Sequence, residues 1–289
     1  MAIWNLGSIN ADLFYSVPHL PSPGETLASI EHRKGLGGKG ANISVAAARA
    51  AGRVHHIGAV GSDGLWARDL LLEYGVDTRH ISETTSATGH AVIAVDTAGE
   101  NNIILCTGAN GQISETAVQS ALSEGSTGDW FVCQNETNAQ AMAAKLAKQM
   151  GLSVAYVAAP FEAAAVTEVL PYLDLLILNQ LEADQLSQAL NQDIADLQIQ
   201  SIVVTLGARG AMLYSSGLTK LIEPVSVDPI DSTGAGDTFA GYLIACLDRG
   251  LPINQALTTA NLAAAIMVTR HGTADVIPDL KDIEDFKKL

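Results

Sequence analysis

The sequence is short of basic residues, and this limits the partners it can have. Lysine and arginine number 16 against 31 acidic residues, so the formal net charge is −15 over 289 residues. Nucleic acids and anionic membranes attract clustered lysine and arginine, so we expect neither as a partner. An anionic ligand would have to be held by backbone N–H groups, a helix N-terminus, a few placed cations or a metal ion.

Cysteines and long apolar segments are scarce as well. The three cysteines, Cys106, Cys133 and Cys246, are widely spaced. They predict free thiols in a reducing compartment, not a disulfide framework or a zinc site. The start, MAIWNLGSIN, lacks the basic and apolar segments of a signal peptide, and no apolar run approaches the ~18 residues of a membrane span. The sequence therefore predicts a cytoplasmic protein.

Short apolar runs alternate with alanine-rich segments of helix length. The strand-like runs are Ile3 to Leu6, His56 to Val60, Trp130 to Cys133, Ser153 to Val157, Leu175 to Leu178 and Ser201 to Thr205. The helix-like segments are Asn42 to Ala51, Gly64 to Tyr74, Ser114 to Leu122, Asn138 to Met150, Gln180 to Leu190, Gly236 to Leu247 and Ile253 to Thr269. This order predicts an α/β fold with a central, mostly parallel sheet and helices on both faces. No repeat or linker divides the chain, so residues 1–289 are expected to form a single domain.

Two segments interrupt this alternation. Residues 11–34 alternate polar with apolar positions and hold three prolines, which is typical of exposed strands. Residues 88–107 have the pattern of a hairpin that turns at Asp96 to Glu100. Together they predict a small β-sheet outside the main one, which would act as a lid over a site.

The stretch GLGGKGAN, Gly35 to Asn42, is here called the glycine loop. It formally matches the dinucleotide fingerprint G-x-G-x-x-G, but that motif needs an apolar strand before it, and the residues before this loop are mostly charged. The Walker A motif is excluded because Lys39 is followed by Gly40. Bare backbone N–H groups, a cation and an amide suit a polyhydroxylated ligand, although a simple helix-initiating turn remains equally possible at this point.

A second run of small residues, DSTGAGDTF, spans Asp231 to Phe239 and leads into a long apolar helix. Consecutive N–H groups at a helix start form an anion hole, which the helix dipole strengthens. Asp237 lies in the first turn, where a carboxylate could accept a hydroxyl proton beside a phosphate under attack. An acid that only stabilises its helix is the alternative.

Five motifs in order resemble the ribokinase-like (PfkB) family of carbohydrate kinases over nearly the whole chain. They are Asn10-Ala11-Asp12, GGKGAN at 37–42, Asn179-Gln180-Leu181-Glu182, Thr205-Leu206-Gly207 and the DSTGAGD run. The stretch from Gly99 to Asn110 resembles the ribokinase branch of that family. The resemblance implies transfer of the γ-phosphate of MgATP to a sugar hydroxyl, with ribose as the expected acceptor.

The resemblance also implies roles for individual residues. Asp237 would act as base, with the N–H groups of Gly234, Ala235 and Gly236 as the anion hole. The residues implied to bind the sugar are Asn10, Asp12, Gly38, Lys39, Asn42 and Glu136. From the residues alone, Asp12 could equally be a strand-end turn residue, and Glu136 an exposed acid at a helix start.

The resemblance implies further residues that would bind the nucleotide and its ions. Those for ATP are Asn179, Glu182, Thr205, Gly207, Gly236 and Asn261, with Asn179 and Glu182 organising Mg²⁺ through water. Asn179 could instead be a helix cap, and Asn261 a polar group between packed helices. For K⁺ the implied segments contain Asp231, Thr233, Arg270 and Gly272. The ribokinase pattern has a serine where this chain has Val276, so we expect a retained but weakened potassium site.

Several alternatives stay open. The acceptor could be fructose, a nucleoside, 2-keto-3-deoxygluconate or a sugar phosphate, and Arg33 with Lys34 would suit the last of these. The chain could also be a silent sugar-binding regulator, which an intact Asp237 argues against. A dehydrogenase is disfavoured because no apolar strand precedes the glycine loop. In relatives the lid forms a dimer contact, so the resemblance implies a homodimer.

Overall fold

The structure, a computed structural model, describes residues 1–288. Its strands are β1 (Ile3–Leu6), β2 (Asn10–Ser16), β3 (Glu31–Gly37), β4 (Val54–Gly61), β5 (Asp77–Thr84), β6 (Gly89–Val95), β7 (Asn101–Cys106), β8 (Trp130–Gln134), β9 (Ser153–Val157), β10 (Leu175–Asn179), β11 (Ser201–Thr205), β12 (Ala211–Ser215) and β13 (Leu218–Ile222). Its α-helices are α1 (Lys39–Arg49), α2 (Leu65–Glu73), α3 (Glu115–Leu122), α4 (Gln140–Gln149), α5 (Ala163–Val169), α6 (Gln180–Leu190), α7 (Ala235–Asp248), α8 (Ile253–Met267) and α9 (Leu280–Phe286).

The main sheet has nine strands in the order β13-β12-β11-β10-β9-β8-β1-β4-β5. Pairing is parallel from β11 through to β5, and the hairpin β12–β13 adds two antiparallel strands at one edge. This confirms the predicted α/β class. Helices cover both faces: α1, α7 and α8 pack in one apolar cluster, and α3, α4, α5 and α6 in the other. Strands β1, β8, β9 and β10 are almost wholly buried, as expected for a sheet covered on both sides.

A second sheet has four strands in the order β3-β2-β6-β7. Its strands come from the two segments predicted to form a small sheet, around 11–34 and 88–107, although residues 17–30 lie in no strand. Its outer strand β7 is exposed along its whole length. The four-stranded sheet joins the main sheet at the carboxyl end of β1, because Asn10 begins β2 only four residues after Leu6 ends β1.

The expectation was that no apolar strand precedes the glycine loop, and the strand that does precede it is largely exposed. Strand β3 runs directly into it, and α1 begins at Lys39. However, β3 pairs antiparallel with β2 in the small sheet, and its first four residues are exposed. It is therefore not the buried parallel strand of a dinucleotide-binding βαβ unit.

Within residues 1–288, no helix combines the length and the apolar character that crossing a lipid bilayer requires.

Candidate active site

The candidate site lies at the carboxyl ends of the parallel strands, where ligands collect in open α/β sheets. Four of the predicted residues come from this edge: Glu136 after β8, Asn179 at the end of β10, Thr205 at the end of β11, and Lys39 at the start of α1. The small sheet adds Asn10 and Asp12 from β2. Residues that are far apart in the chain thus meet at one edge.

The centre of the site is the pair Asn42 and Asp237. The Asn42 amide Nδ2 donates to Asp237 Oδ2 at 2.9 Å, and both side chains are buried. Burial raises the pKa of Asp237, while Lys39 and the Asn42 hydrogen bond act in the opposite direction. No side chain caps α7, so the Asp237 carboxylate interacts with the glycine loop and not with the amides of its own helix. Asp237 lies in the first turn of α7, where an acid interacts favourably with the helix dipole, but its hydrogen bond with Asn42 shows that it does more than stabilise its own helix.

Lys39 is the cation among these acids. The Asp237 carboxylate is the largest cause of its raised pKa, and Glu136, Glu182 and Asp12 act in the same direction against burial. The ammonium group therefore stays charged in the site. Four carboxylates around one lysine leave this region negative overall.

Asp12 is buried and lies inside β2, which excludes its interpretation as a turn residue at the end of a strand. Burial, with repulsion from Glu136 and Asp237, raises its pKa to about 7, although Arg33 and Lys39 lower it. No room exists for a side chain at Gly37, because a Cβ there would overlap the Asp12 carboxylate. The glycine loop thus lets this carboxylate sit beside the backbone.

Glu136 is not an exposed acid at a helix start. It is half-buried, and its Oε2 accepts a hydrogen bond from the Ser8 hydroxyl and another from the Lys39 N–H at 3.0 Å. Ser8 was not predicted, because nothing in its local sequence distinguishes it. The bond spans 128 positions and is visible only in three dimensions.

Asn10 is held by a second residue that was not assigned a role, Asn110. The Asn110 amide donates to Asn10 Oδ1 at 2.8 Å, and its oxygen accepts the Ile9 N–H at 2.9 Å. Asn110 lies in a short 3₁₀-helix just after β7. It therefore ties the base of the small sheet to the predicted sugar site.

The predicted anion hole begins at Gly234, which has φ 75° and precedes α7. The Ala235 N–H donates to Ser232 O at 3.3 Å, so it is less available than predicted. Within residues 1–288, the N–H groups of Gly234 and Gly236 donate to no acceptor. A Cβ on Gly236 would meet nothing within 4 Å, so this backbone faces open space.

That open space is a cavity of about 570 Å³. Predicted nucleotide residues that line it are Thr205, Gly207, Gly236 and Asn261, together with Ala235 of the anion hole. Phe239, Val225 and Ala264 add an apolar wall, which sequence reasoning did not assign. The volume falls in the range of small-molecule sites.

Asn179, Glu182 and Asn261 also have structural partners. Asn179 and Glu182 form a capping box on α6: Asn179 Oδ1 accepts the Glu182 N–H at 2.9 Å, and Glu182 Oε2 accepts the Asn179 N–H at 2.7 Å. Neither lines the cavity. The Asn261 amide donates to Glu223 O at 3.1 Å. The alternative of a helix cap at Asn179 therefore describes a contact that exists. Asn261 is a satisfied polar group, but its partner follows β13 and does not belong to a second helix.

The two segments predicted for potassium are adjacent. The N–H groups of Ile230 and Asp231 both donate to Val268 O, at 2.6 and 3.1 Å, shortly before Arg270 in the chain. Asp231 Oδ1 accepts the Thr233 N–H at 2.9 Å. The Arg270 guanidinium bonds Val276 O and Asp282, so only its backbone could serve an ion.

Gly272, in the second of these segments, has φ 136°. A Cβ there would lie 3.1 Å from Val276 Cγ1. The valine methyl thus stands beside this loop and offers it no oxygen. In the described part of the chain, no group of three His, Cys, Asp or Glu side chains is arranged to hold a metal ion.

The chain is similar to known proteins over nearly its whole length. The family model described as pfkB family carbohydrate kinase matches residues 3–280. The ribokinase of Haemophilus influenzae is 35% identical, over 97% of this chain and 96% of the relative. The structure of the Cryptococcus neoformans var. grubii ribokinase in complex with ADP aligns with a TM-score of 0.86 at 31% identity, covering 99% of both chains. That of Arabidopsis thaliana ribokinase, complexed with ribose and ATP, aligns with a TM-score of 0.86 at 26% identity, covering 100% of both chains.

Proposed function

Because the chain belongs to the pfkB family of carbohydrate kinases, we propose that it phosphorylates ribose at the expense of ATP. Membership makes it an ATP-dependent phosphotransferase with a ribokinase-like fold. The observation that carries the proposal is the Asn42–Asp237 pair, which lies between the predicted sugar residues and the cavity next to the anion hole.

In the proposed reaction the sugar hydroxyl attacks the γ-phosphorus directly. The new P–O bond to the sugar forms as the P–O bond to ADP breaks, and the hydroxyl proton passes to the Asp237 carboxylate. The Gly234 and Gly236 N–H groups stabilise charge on the transferring group. Burial raises the pKa of Asp237, which makes it a better proton acceptor than an exposed carboxylate, while the Lys39 charge acts in the opposite direction and favours the ionised form.

The sugar would lie between β2 and the glycine loop. Asp12, Asn10 and Glu136 offer oxygens that accept from vicinal hydroxyls, and Lys39 and Asn42 complete the set. The bare backbone of Gly38 lets the glycine loop pack against the Ser8 segment, since a Cβ there would lie 2.9 Å from Ser8 O. ATP would occupy the cavity lined by Thr205, Gly207 and Asn261.

The residues present fit Mg²⁺ held through water. The capping box uses Oε2 of Glu182 and leaves Oε1 for a bound water, and magnesium normally keeps several waters. When bound, the ion would neutralise charge on the ATP phosphates. Potassium would use backbone carbonyls of the adjacent segments and the carboxylate of Asp231, with Thr233, Arg270 and Gly272 contributing backbone.

We further propose that the four-stranded sheet is the lid and the homodimer contact. Its closure would exclude water, which otherwise competes as phosphoryl acceptor. The side chains of Ile103, Ile104 and Leu105 on its outer strand β7 are exposed, and Ile104 is 65% exposed. An unpaired apolar edge strand is a surface that a second copy can cover.

An acidic acceptor is the second candidate, because of Arg33. Its guanidinium lies over the Phe14 ring at 4.3 Å, on the face of β2 that carries Asp12. Lys34 points to the other face, where its Nζ lies 4.0 Å from the Trp66 ring centre. Of these two basic residues, only Arg33 could thus contact a negatively charged acceptor.

The test is ADP release over a panel of ribose, deoxyribose, fructose, adenosine, 2-keto-3-deoxygluconate and fructose phosphates, with Asp237→Asn as control. Ribose should give the highest kcat/KM. A higher kcat/KM for an acidic member would reassign the acceptor to that class. No acceptor-dependent ADP release would support the silent regulator instead.

A further inference from the structure

We propose that Asn5, Gln134, Ser44 and His56 form a buried network that positions the sugar-binding loops, an inference that rests on the proposed function. None of the four has been given a role above. They lie behind the site, on β1, β8, α1 and β4, and their side chains are buried.

The network lies under the contact between two loops. One is Gly7–Ser8 after β1, and the other is the glycine loop. Gly7 and Gly40 touch so closely that a Cβ on either would overlap the backbone of the other. The Ala41 N–H donates to Ser8 O at 2.9 Å, and the Gly40 N–H to Ser8 Oγ at 3.3 Å.

This contact also fixes two predicted sugar residues. The Ser8 hydroxyl donates to Glu136, whose Oε2 also accepts the Lys39 N–H. A small shift of one loop against the other would therefore move Ser8, Glu136 and Lys39 together.

The network holds a backbone carbonyl of each loop. At one end, the Asn5 amide Nδ2 donates to Gly40 O at 2.8 Å and to Ser44 Oγ at 2.8 Å. At the other end, His56 Nε2 contacts Gly7 O at 3.1 Å, and its Nδ1 contacts Ser44 Oγ at 2.8 Å. The Gln134 amide donates to Asn5 Oδ1 at 2.8 Å and so fixes the orientation of the asparagine.

The hydrogen atoms in this series of hydrogen bonds can be placed in only one way. A carbonyl oxygen only accepts, so His56 must carry its proton on Nε2 and donate to Gly7 O. Its Nδ1 then accepts the Ser44 hydroxyl hydrogen, and Ser44 Oγ accepts from Asn5. Burial lowers the pKa of His56 to about 4, so the neutral ring that this arrangement needs is the form present near neutral pH.

Apart from Gln134 Oε1, which has no hydrogen-bond partner among residues 1–288, the side-chain polar atoms of the network are paired. Such pairing fixes one arrangement of the groups it joins, because each broken link leaves a further buried polar atom without a partner. The carbonyls it holds belong to the sugar-binding loops. The cavity predicted for ATP is lined by other elements, including Thr205, Gly236 and Asn261. Loss of a link should therefore affect the sugar and spare the nucleotide.

The first test is Ser44→Ala, which removes the central link and little volume. The KM for ribose should rise about tenfold, which corresponds to one buried polar group left without its partner. The KM for ATP should stay within about twofold of its original value. Ser201→Ala is the matched control, because its buried hydroxyl bonds Ser215 at 3.2 Å at the opposite end of the sheet. It should change neither KM.

A pair of substitutions at His56 separates positioning from packing. His56→Phe keeps a ring and removes both hydrogen bonds, so it should raise the ribose KM as Ser44→Ala does. His56→Gln keeps an uncharged donor and acceptor, so it should restore part of the lost affinity. If the phenylalanine variant does not fold, Ser44→Ala decides alone.

The outcomes distinguish this inference from the proposed function. If the unaltered protein phosphorylates no sugar, the proposed function fails before any variant is measured. If ribose is phosphorylated but both KM values in Ser44→Ala stay unchanged, or rise together, the network inference is overturned while the proposed function stands.

Discussion

Replacing Asp12 by asparagine should stabilise the protein while weakening its sugar binding. Asp12 is 7% exposed, and no described residue donates a hydrogen bond to its carboxylate. Burial, then the charges of Glu136 and Asp237, raise its pKa to about 7 from 3.8. The ionised form is therefore costly in the folded protein without ligand.

The size of the effect follows from linkage. A shift of roughly 3 units corresponds to at most about 4 kcal/mol at about 1.36 kcal/mol per unit. The pKa of Asp12 is higher in the folded protein than in the unfolded chain. Asp12 therefore costs no stability below pH 3.8, and the free energy of unfolding falls as the pH rises from 3.8 to about 7. The asparagine side chain carries no charge at any pH, so the gain from substitution should grow over that window and level off above it.

The assay is thermal unfolding of both proteins from about pH 5 to about pH 8 without ligand. For a chain of this size about 1 kcal/mol shifts Tm by about 2 °C, so a gain of at most about 8 °C is expected at the upper pH and a smaller one at the lower. In the same variant the KM for ribose should rise about 10- to 100-fold, since a hydrogen bond to a charged group is lost.

Asp129→Asn is the matched control, because Asp129 is a buried acid with the opposite environment. Burial opposes its ionisation, but hydrogen bonds from Ser126, Trp4 and Ala2 hold the pKa of Asp129 below its usual value. Its substitution should lower Tm by a similar amount at both ends of the pH range. Equal Tm shifts at both ends for Asp12→Asn, or a loss at the upper end, would refute the assignment of a strained, titrating Asp12.

Four further outcomes are expected. Asp237→Asn should lower kcat by roughly 10²- to 10⁴-fold with ATP binding retained by calorimetry, because only the base is lost; near-normal turnover would contradict its role. Gly236→Val should abolish ATP binding by filling open space beside the anion hole, and unchanged ATP affinity would argue against that site. Val276→Ser should lower the potassium concentration for half-activation, whereas equal rates in potassium and in a bulky organic cation would exclude a functional ion site. Arg33→Gln should raise the KM for an acidic acceptor more than Lys34→Gln does, because only Arg33 shares the face of Asp12; equal effects would exclude this interpretation.

Elements with a strong apolar period were predictable from the sequence. Helix α6 has the predicted bounds, Gln180–Leu190, and β1 matches Ile3 to Leu6. Strand β5 was not predicted, because DTRHISET has no apolar run and lies at the sheet edge. Helix α1 begins three residues earlier than predicted, at Lys39. Gly40, in the added first turn, packs against the backbone of Gly7. A tertiary contact of this kind is not part of helix propensity, so the sequence pattern did not predict the earlier start.

Residues of the candidate site could be proposed from the sequence where a motif is continuous, and not where distant segments meet. The run from Gly234 to Asp237 carries its own chemistry, so its residues could be proposed directly. Ser8 and Asn110 could not, because their function depends on partners 128 and 100 positions away. The capping box of Asn179 and Glu182 is the opposite case, because its two residues are three positions apart and both could be named from the sequence.

The charges of the site explain why it would hold phosphate with backbone. Asp12, Glu136, Glu182 and Asp237 surround Lys39, and each raises the pKa of that lysine. A second cation placed among them would hold the acids ionised but would also lower the basicity of Asp237. Backbone N–H groups at Gly234 and Gly236 stabilise an anion without adding a charge that competes for the base. An acid-rich sugar site and an uncharged phosphate site can therefore share one cleft, and the hydroxyl proton still has a carboxylate to accept it.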